Sequence, residues 1–171
     1  SIESFQLGYG LDDWHALENH LRAKGYTYAD VAELGLIIQR EGGDGYYDRF
    51  RGRLMFPIRE IKSRVIGFGG RVLDKSEPKY MNSPESPVFS KGHVLYGIDQ
   101  ARGPIRQQNQ VVIVEGYMDV IMAHQFGIRN VVASMGTALT EPQLKILKRL
   151  TKKIALALDS DAAGDRGTLR G

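Results

Sequence analysis

The sequence predicts an α/β protein: a mixed α+β amino-terminal part followed by a parallel sheet laid down as β-α-β-α-β. Two apolar runs, residues 111–114 and 154–158, have the composition of strands buried on both faces, and residues 130–133 form a short strand between them in the chain. Helical segments separate them, at residues 118–126 and 141–150, the latter with Pro142 in its first turn. Before residue 110 the rhythm is different, with short helices and then Gly-rich strands. Alternation of buried strands and helices is the pattern of a doubly wound parallel sheet.

In chain order, Trp14, Leu17 and Leu21 fall at helical spacing behind Asp12 and Asp13, either of which suits a helix cap. Val31 and Leu34 continue a second short helix, which Gly35 ends. Residues 54–61 and 64–73 read as two strands about a Lys62-Ser63 turn. Pro78, Asn82, Pro84 and Pro87 make residues 74–93 a long ordered loop. Residues 97–108 read as a helix leading into the second half, and the chain divides into 1–108 and 109–171.

Composition narrows the function classes. Hydrophobic residues make up 42% and charged residues 25%, ordinary for a globular protein. No apolar run approaches the roughly 18 residues that span a bilayer, so no membrane role is expected. Cysteine is absent, which excludes disulfides and cysteine-ligated zinc within these residues and agrees with a cytoplasmic location. The net charge of +3 is unevenly spread: residues 40–110 hold thirteen basic and eight acidic side chains, whereas residues 1–39 hold two and six. A basic middle segment suits a polyanionic partner.

Acidic groups stand where open parallel sheets gather ligands, outside the carboxyl ends of strands. Glu115 follows the strand at residues 111–114, and Asp159 and Asp161 follow the strand at residues 154–158. Asp119 lies one helical turn beyond Glu115, on the same side. Converging carboxylates repel one another unless a cation neutralises them. Oxygen donors without Cys or His suit a hard ion, Mg²⁺, with Mn²⁺ as a substitute. Gly116 and Gly164 leave room for backbone to pass close to a ligand.

Three strings around these acids, Val114-Glu115-Gly116-Tyr117-Met118-Asp119, Ser134-Met135-Gly136-Thr137-Ala138 and Asp159-Ser160-Asp161-Ala162-Ala163-Gly164, resemble the Toprim domain of primases, topoisomerases and some nucleases. Further strings narrow this resemblance. Tyr47-Asp48-Arg49-Phe50-Arg51-Gly52-Arg53, Gly67-Phe68-Gly69-Gly70-Arg71, Pro78-Lys79-Tyr80-Met81-Asn82-Ser83 and Phe89-Ser90-Lys91-Gly92 are similar to the basic subdomain preceding Toprim in bacterial, DnaG-type primases. The resemblance implies a primase catalytic core that makes short RNA primers on single-stranded DNA from ribonucleoside triphosphates. It implies catalytic roles for Glu115, Asp159 and Asp161, metal ligation by these with Asp119, and template or nucleotide contacts by Arg49, Arg51, Arg71, Lys79, Tyr80, Asn82 and Lys91.

The spacing of Arg49, Arg51 and Arg53 fits this picture, because alternate residues of an extended strand share a face and three like charges there need an anion. The acidic strand tips are expected to face this basic wall across a slot. Relative to the family, the Toprim part is expected to be truncated after Asp161, leaving the fragment inactive or weak in isolation. The zinc-binding domain and the domain contacting the replicative helicase are expected outside this chain. A Toprim nuclease or topoisomerase, or a non-catalytic Toprim nucleic-acid-binding module, is the alternative. The 67–70 glycine run is not a dinucleotide fingerprint, because no helix follows it.

Overall fold

The computed structural model describes residues 1–135 and 138–158. In chain order the first half holds α1 (Ile2–Phe5), β1 (Gly8–Gly10), α2 (Ala16–Ala23), α3 (Tyr28–Glu33), β2 (Ile37–Gln39), β3 (Tyr46–Asp48), β4 (Arg53–Arg59), β5 (Val65–Val72) and β6 (Tyr80–Asn82). A single 3₁₀ turn (Lys91–His93) then leads to α4 (Ile98–Gln108), β7 (Val111–Val114), α5 (Tyr117–Gln125), β8 (Val131–Ala133), α6 (Glu141–Lys148) and β9 (Ile154–Leu156). Two compact units divide these elements, and the chain passes between them repeatedly. One comprises residues 1–5, 58–65 and 91 onward; the other comprises 6–57 and 66–90.

In the first unit β7 is the central strand of a three-stranded sheet, order β8-β7-β9, with both pairings parallel. The α/β expectation is met here, strand for strand. Both faces of β7 are covered, and Val111 and Ile113 pack with Leu95, Ile105, Val132 and Leu147 in one apolar core. Pro104 sits inside α4, and α4 ends on Asn109 in a left-handed conformation (φ 49°). Gly97, which starts α4 at φ 81°, has no substitute: a Cβ there would also lie 2.8 Å from Val120 Cγ1.

The second unit is antiparallel. β1-β4-β5-β6 form one sheet and β2-β3 a separate hairpin. The two predicted strands about residues 62–63 are β4 and β5, with Ser63 left-handed at φ 67°. The predicted helix at 31–34 is α3, capped by Thr27, whose hydroxyl accepts from Asp30 N–H, and followed by Gly35 at φ 67°.

Two expectations need correction. Residues 74–93 are not loop throughout, because Tyr80–Asn82 adds to the edge of β5 as β6, a pairing set by a tertiary neighbour rather than by local pattern. Nor do Asp12 or Asp13 cap α2. Its Leu17 and Glu18 N–H groups donate to the two carboxylate oxygens of Asp48, at 2.6 and 2.8 Å, from the end of β3. Asp13 instead accepts from His15 N–H at 2.7 Å.

Candidate functional site

Glu115 leaves the carboxyl end of β7, the strand flanked on both sides, and Gly116 turns the chain into α5. Gly116 is extended (φ −128°, ψ 173°), and its N–H donates to Asp119 Oδ2 at 2.9 Å. Asp119 thus caps the first turn of α5 with one oxygen and fixes the backbone next to Glu115. Beside this tip β8 ends at Ala133, and Met135 adopts a left-handed backbone at φ 61° although it is bulky and buried. Such strain persists only where the surroundings enforce it, and it concentrates at functional sites. On the other side the ladder continues past β9, with Ala157 N–H donating to the Ile113 carbonyl at 2.9 Å.

Asp159 and Asp161 lie outside the described residues. Among the described residues no group of three or more His, Cys, Asp or Glu side chains could hold a metal. Glu115 and Asp119 nevertheless contribute two carboxylates from a single turn at a strand tip, with no thiolate anywhere in the chain. This donor set fits a hard cation such as Mg²⁺ or Mn²⁺ and does not fit a soft one.

The basic residues do not form the single strand face that their spacing suggested. β3 stops at Asp48, the chain bends, and Gly52 turns at φ 60° before β4 begins at Arg53. The extended geometry assumed for residues 49–53 is therefore absent, and the three arginines do different things. Arg53 is 6% exposed, donates to the Pro78 carbonyl at 2.8 Å, and is held below the usual arginine range by burial. Arg51 donates to the Asp48 carbonyl and lies 4.0 Å over the Trp14 ring and 5.0 Å over Tyr47. Arg49 is half-buried, with burial lowering its guanidinium pKa.

Three of the other candidates do converge. Arg71 on β5 is the register partner of Tyr80 on β6, and Asn82 lies two residues further along. Side chains of paired and alternate strand residues share a face, so Arg71, Tyr80 and Asn82 stand together, with the Arg71 guanidinium 5.6 Å from the Tyr80 ring. Lys79 immediately precedes β6, and its backbone pairs with Val72. Among the described residues, the Nε atoms of Arg49 and Arg71 are buried without a hydrogen-bond partner. A desolvated guanidinium N–H lacking a protein acceptor is costly unless a ligand supplies one, and phosphate oxygens suit it. Lys91 belongs to the other unit, in the 3₁₀ turn before α4.

Residues 67–70 lie within β5, where the glycines serve packing. A Cβ at Gly70 would lie 2.9 Å from Phe50 Cδ1 and 3.1 Å from Arg53 Cδ. A cavity of about 530 Å³ in the antiparallel unit is walled by apolar side chains, among them Leu17, Leu21, Phe50, Met55 and Phe68. None of the candidate site residues lines it. The cation-aromatic group of Trp14, Tyr47 and Arg51 was not anticipated from sequence, because it joins residues more than 30 positions apart.

Residues 1–102 match the family model described as the DNA primase catalytic core, N-terminal domain. The chain belongs to the DNA primase catalytic-core family. Residues 109–171 match the Toprim domain, so the primase and Toprim resemblances hold over the respective halves. A DNA primase of Clostridium acetobutylicum is 50% identical over 173 residues, spanning 100% of this chain and 28% of the relative. The chain spans about a quarter of the length of the curated primases it matches first. The RNA polymerase domain of Mycobacterium tuberculosis primase DnaG superposes with a TM-score of 0.90 at 36% identity, covering 99% of this chain and 57% of that one. A DnaG primase catalytic domain solved bound to single-stranded DNA gives 0.87 at 39%, covering 99% and 52%. A structure of Aquifex aeolicus primase holds zinc-binding and RNA polymerase domains, and this primase-core chain covers 41% of it.

Proposed function

We propose that this chain carries the nucleotidyl-transfer centre of a DNA primase, which joins ribonucleotides into short RNA primers on a single-stranded DNA template. The observation that carries the reading is the position of Glu115 at the carboxyl end of the central parallel strand, within a chain of the primase catalytic-core family. Its support from a solved relative is the DnaG catalytic domain bound to single-stranded DNA.

In this reading the 3′-hydroxyl of one ribonucleotide attacks the α-phosphate of the next, the new phosphodiester bond forms, and pyrophosphate leaves with the electrons of the broken bond. Glu115, Asp159 and Asp161 would hold Mg²⁺ or Mn²⁺, with Asp119 orienting Glu115 through the Gly116 N–H. A divalent cation bound there lowers the pKa of the attacking hydroxyl and offsets charge on the leaving group. Arg49 and Arg71 bring guanidinium groups suited to phosphate, and Tyr80 offers a ring for base stacking. Arg51, Lys79, Asn82 and Lys91 supply further template or nucleotide contacts.

Residues 1–108 are read as the nucleic-acid-binding subdomain and 109–171 as the catalytic one. Zinc binding and contact with the replicative helicase are assigned to parts of a full primase beyond these residues, and the reaction to the cytoplasm, where the template is. No helix among the described residues is long and apolar enough to cross a membrane.

The test is primer synthesis by the full-length parent with labelled ribonucleotides, single-stranded DNA and Mg²⁺. Glu115→Ala and Asp159→Ala should each lower the rate by more than about 100-fold, beyond the effect of removing an outer-shell partner. Strand cleavage in place of labelled primer, or full activity in both variants, would refute the reading.

A further inference from the structure

Away from the acidic tip, the capping residue of α6 and one side chain of its first turn tie down the segment that carries Lys91. Gln143 is 0% exposed. Its amide nitrogen donates to the Val94 carbonyl at 2.8 Å and to the Lys91 carbonyl at 3.4 Å, and its amide oxygen accepts from Thr140 N–H at 3.1 Å. The Thr140 hydroxyl donates to the Gly92 carbonyl at 2.5 Å and accepts from Gln143 N–H at 3.3 Å. Three carbonyls of residues 91–94 are therefore held by the first turn of a helix that begins 50 residues later.

Helix capping alone does not explain this arrangement. A Thr cap needs only Glu or Gln three residues on, and Glu would serve at least as well beside a helix amino terminus. What Glu lacks is a donor. Both amide hydrogens of Gln143 point away from its own helix, toward the 3₁₀ turn, whose carbonyls have no continuing helix to bond them. A buried amide is tolerated only when satisfied, so this geometry specifies where the turn sits.

We infer that Thr140 and Gln143 are positioning residues for Lys91, pinning its own carbonyl and the backbone that follows it so that its ammonium is presented in one place to a nucleic-acid or nucleotide phosphate. The inference rests on the proposed contact role of Lys91 and adds the device that orders it. Lysine reaches phosphate as a point charge on a flexible stem, so its usefulness depends on where the stem is rooted.

The test is a double-mutant cycle in the full-length primase. Gln143→Glu keeps the volume and the cap but removes both donors. It should raise KM for template about tenfold with kcat within about twofold, and it should lower the melting temperature as well, because a carboxylate then faces two buried carbonyls. Thr140→Val should act in the same direction and Thr140→Ser should restore the wild-type value. If Gln143→Glu does not fold, the Thr140 pair carries the test. In a Lys91→Ala background, the further loss from Gln143→Glu should vanish.

Additive losses would overturn the inference and leave Lys91 as a contact, as would an unchanged KM in Gln143→Glu and Thr140→Val. A Lys91→Ala enzyme with wild-type KM would overturn the role of Lys91 and the clamp with it. Fluorescence anisotropy with labelled single-stranded DNA reads the same cycle without the reaction. A wild type that binds with this coupling but makes no primers would sink the proposed activity and not the clamp.

Discussion

In the unit built around β7, the central strands are dry: Val111, Ile113, Val131 and Val132 are nearly inaccessible, and the carboxylates of Glu115 and Asp119 come only after the strand has ended. In the unit built around β4 and β5, arginines and glycines enter the sheet itself, Arg53 is buried beneath Gly70, and aromatic rings pack on guanidinium groups. The first arrangement fixes one carboxylate at the end of a rigid rod. The second spreads cations over a surface, which suits a long polyanion better than a single reacting atom.

This contrast predicts where damage should go. The largest effect on stability is expected from Ile113→Ala, which opens a cavity in the parallel core and should cost about 3–4 kcal/mol in urea unfolding of the chain. A loss below about 1 kcal/mol would mean the β7 core is loosely packed. Arg71→Ala should leave melting nearly unchanged while weakening single-stranded DNA binding about tenfold and reducing the salt slope by about one charge. A variant that unfolds without losing affinity would reverse the roles assigned to the two units. Asp48→Ala removes the remote cap of α2 from a buried site and should cost about 2 kcal/mol. Unfolding measurements that place it level with an exposed Asp13→Ala would remove that distinction.

The smallest expected effect is on pH dependence. His124 is buried in the parallel unit, with Nε2 3.0 Å from the Val131 carbonyl, and burial holds its pKa below 6.5. A base kept neutral in the fold takes up a proton more readily when unfolded, so stability should decline as pH falls below 6.5 toward the folded pKa. His124→Phe should flatten that slope. Glu18, in the antiparallel unit, behaves differently. Burial pushes its pKa up, but hydrogen bonds with His15 and Tyr28 outweigh this and hold it below its usual value. Its contribution is therefore complete above about pH 4.5 and is lost as pH falls further.

The parallel unit was largely legible in the sequence, because a strand covered on both faces must be apolar throughout, and residues 111–114 are. Glu115 was legible for the same reason: it is the first charged group after such a run. The antiparallel unit was less so. The spacing of Arg49, Arg51 and Arg53 suggested a shared face, yet Gly52 turns the chain between them, and nothing local distinguishes that turn from a strand glycine. β6 hides among prolines because its pairing partner is supplied by β5. The cap of α2 was misread because an acceptor 30 residues distant outcompetes the adjacent Asp13. Thr140 and Gln143 do form a readable capping pattern, but which carbonyls the amide would reach depends on the fold.

α1 is made well before its partners. Phe5 stacks on Tyr96 and meets the His124 ring edge-on, and the Ser1 hydroxyl donates to the Gln125 side chain at 2.8 Å. On the ribosome those opening residues wait through more than a hundred further additions before their seat exists. The antiparallel unit's segments 6–57 and 66–90 are complete well before then. The order of synthesis therefore favours the antiparallel unit forming ahead of the one bearing Glu115, with docking of α1 as a late, long-range event.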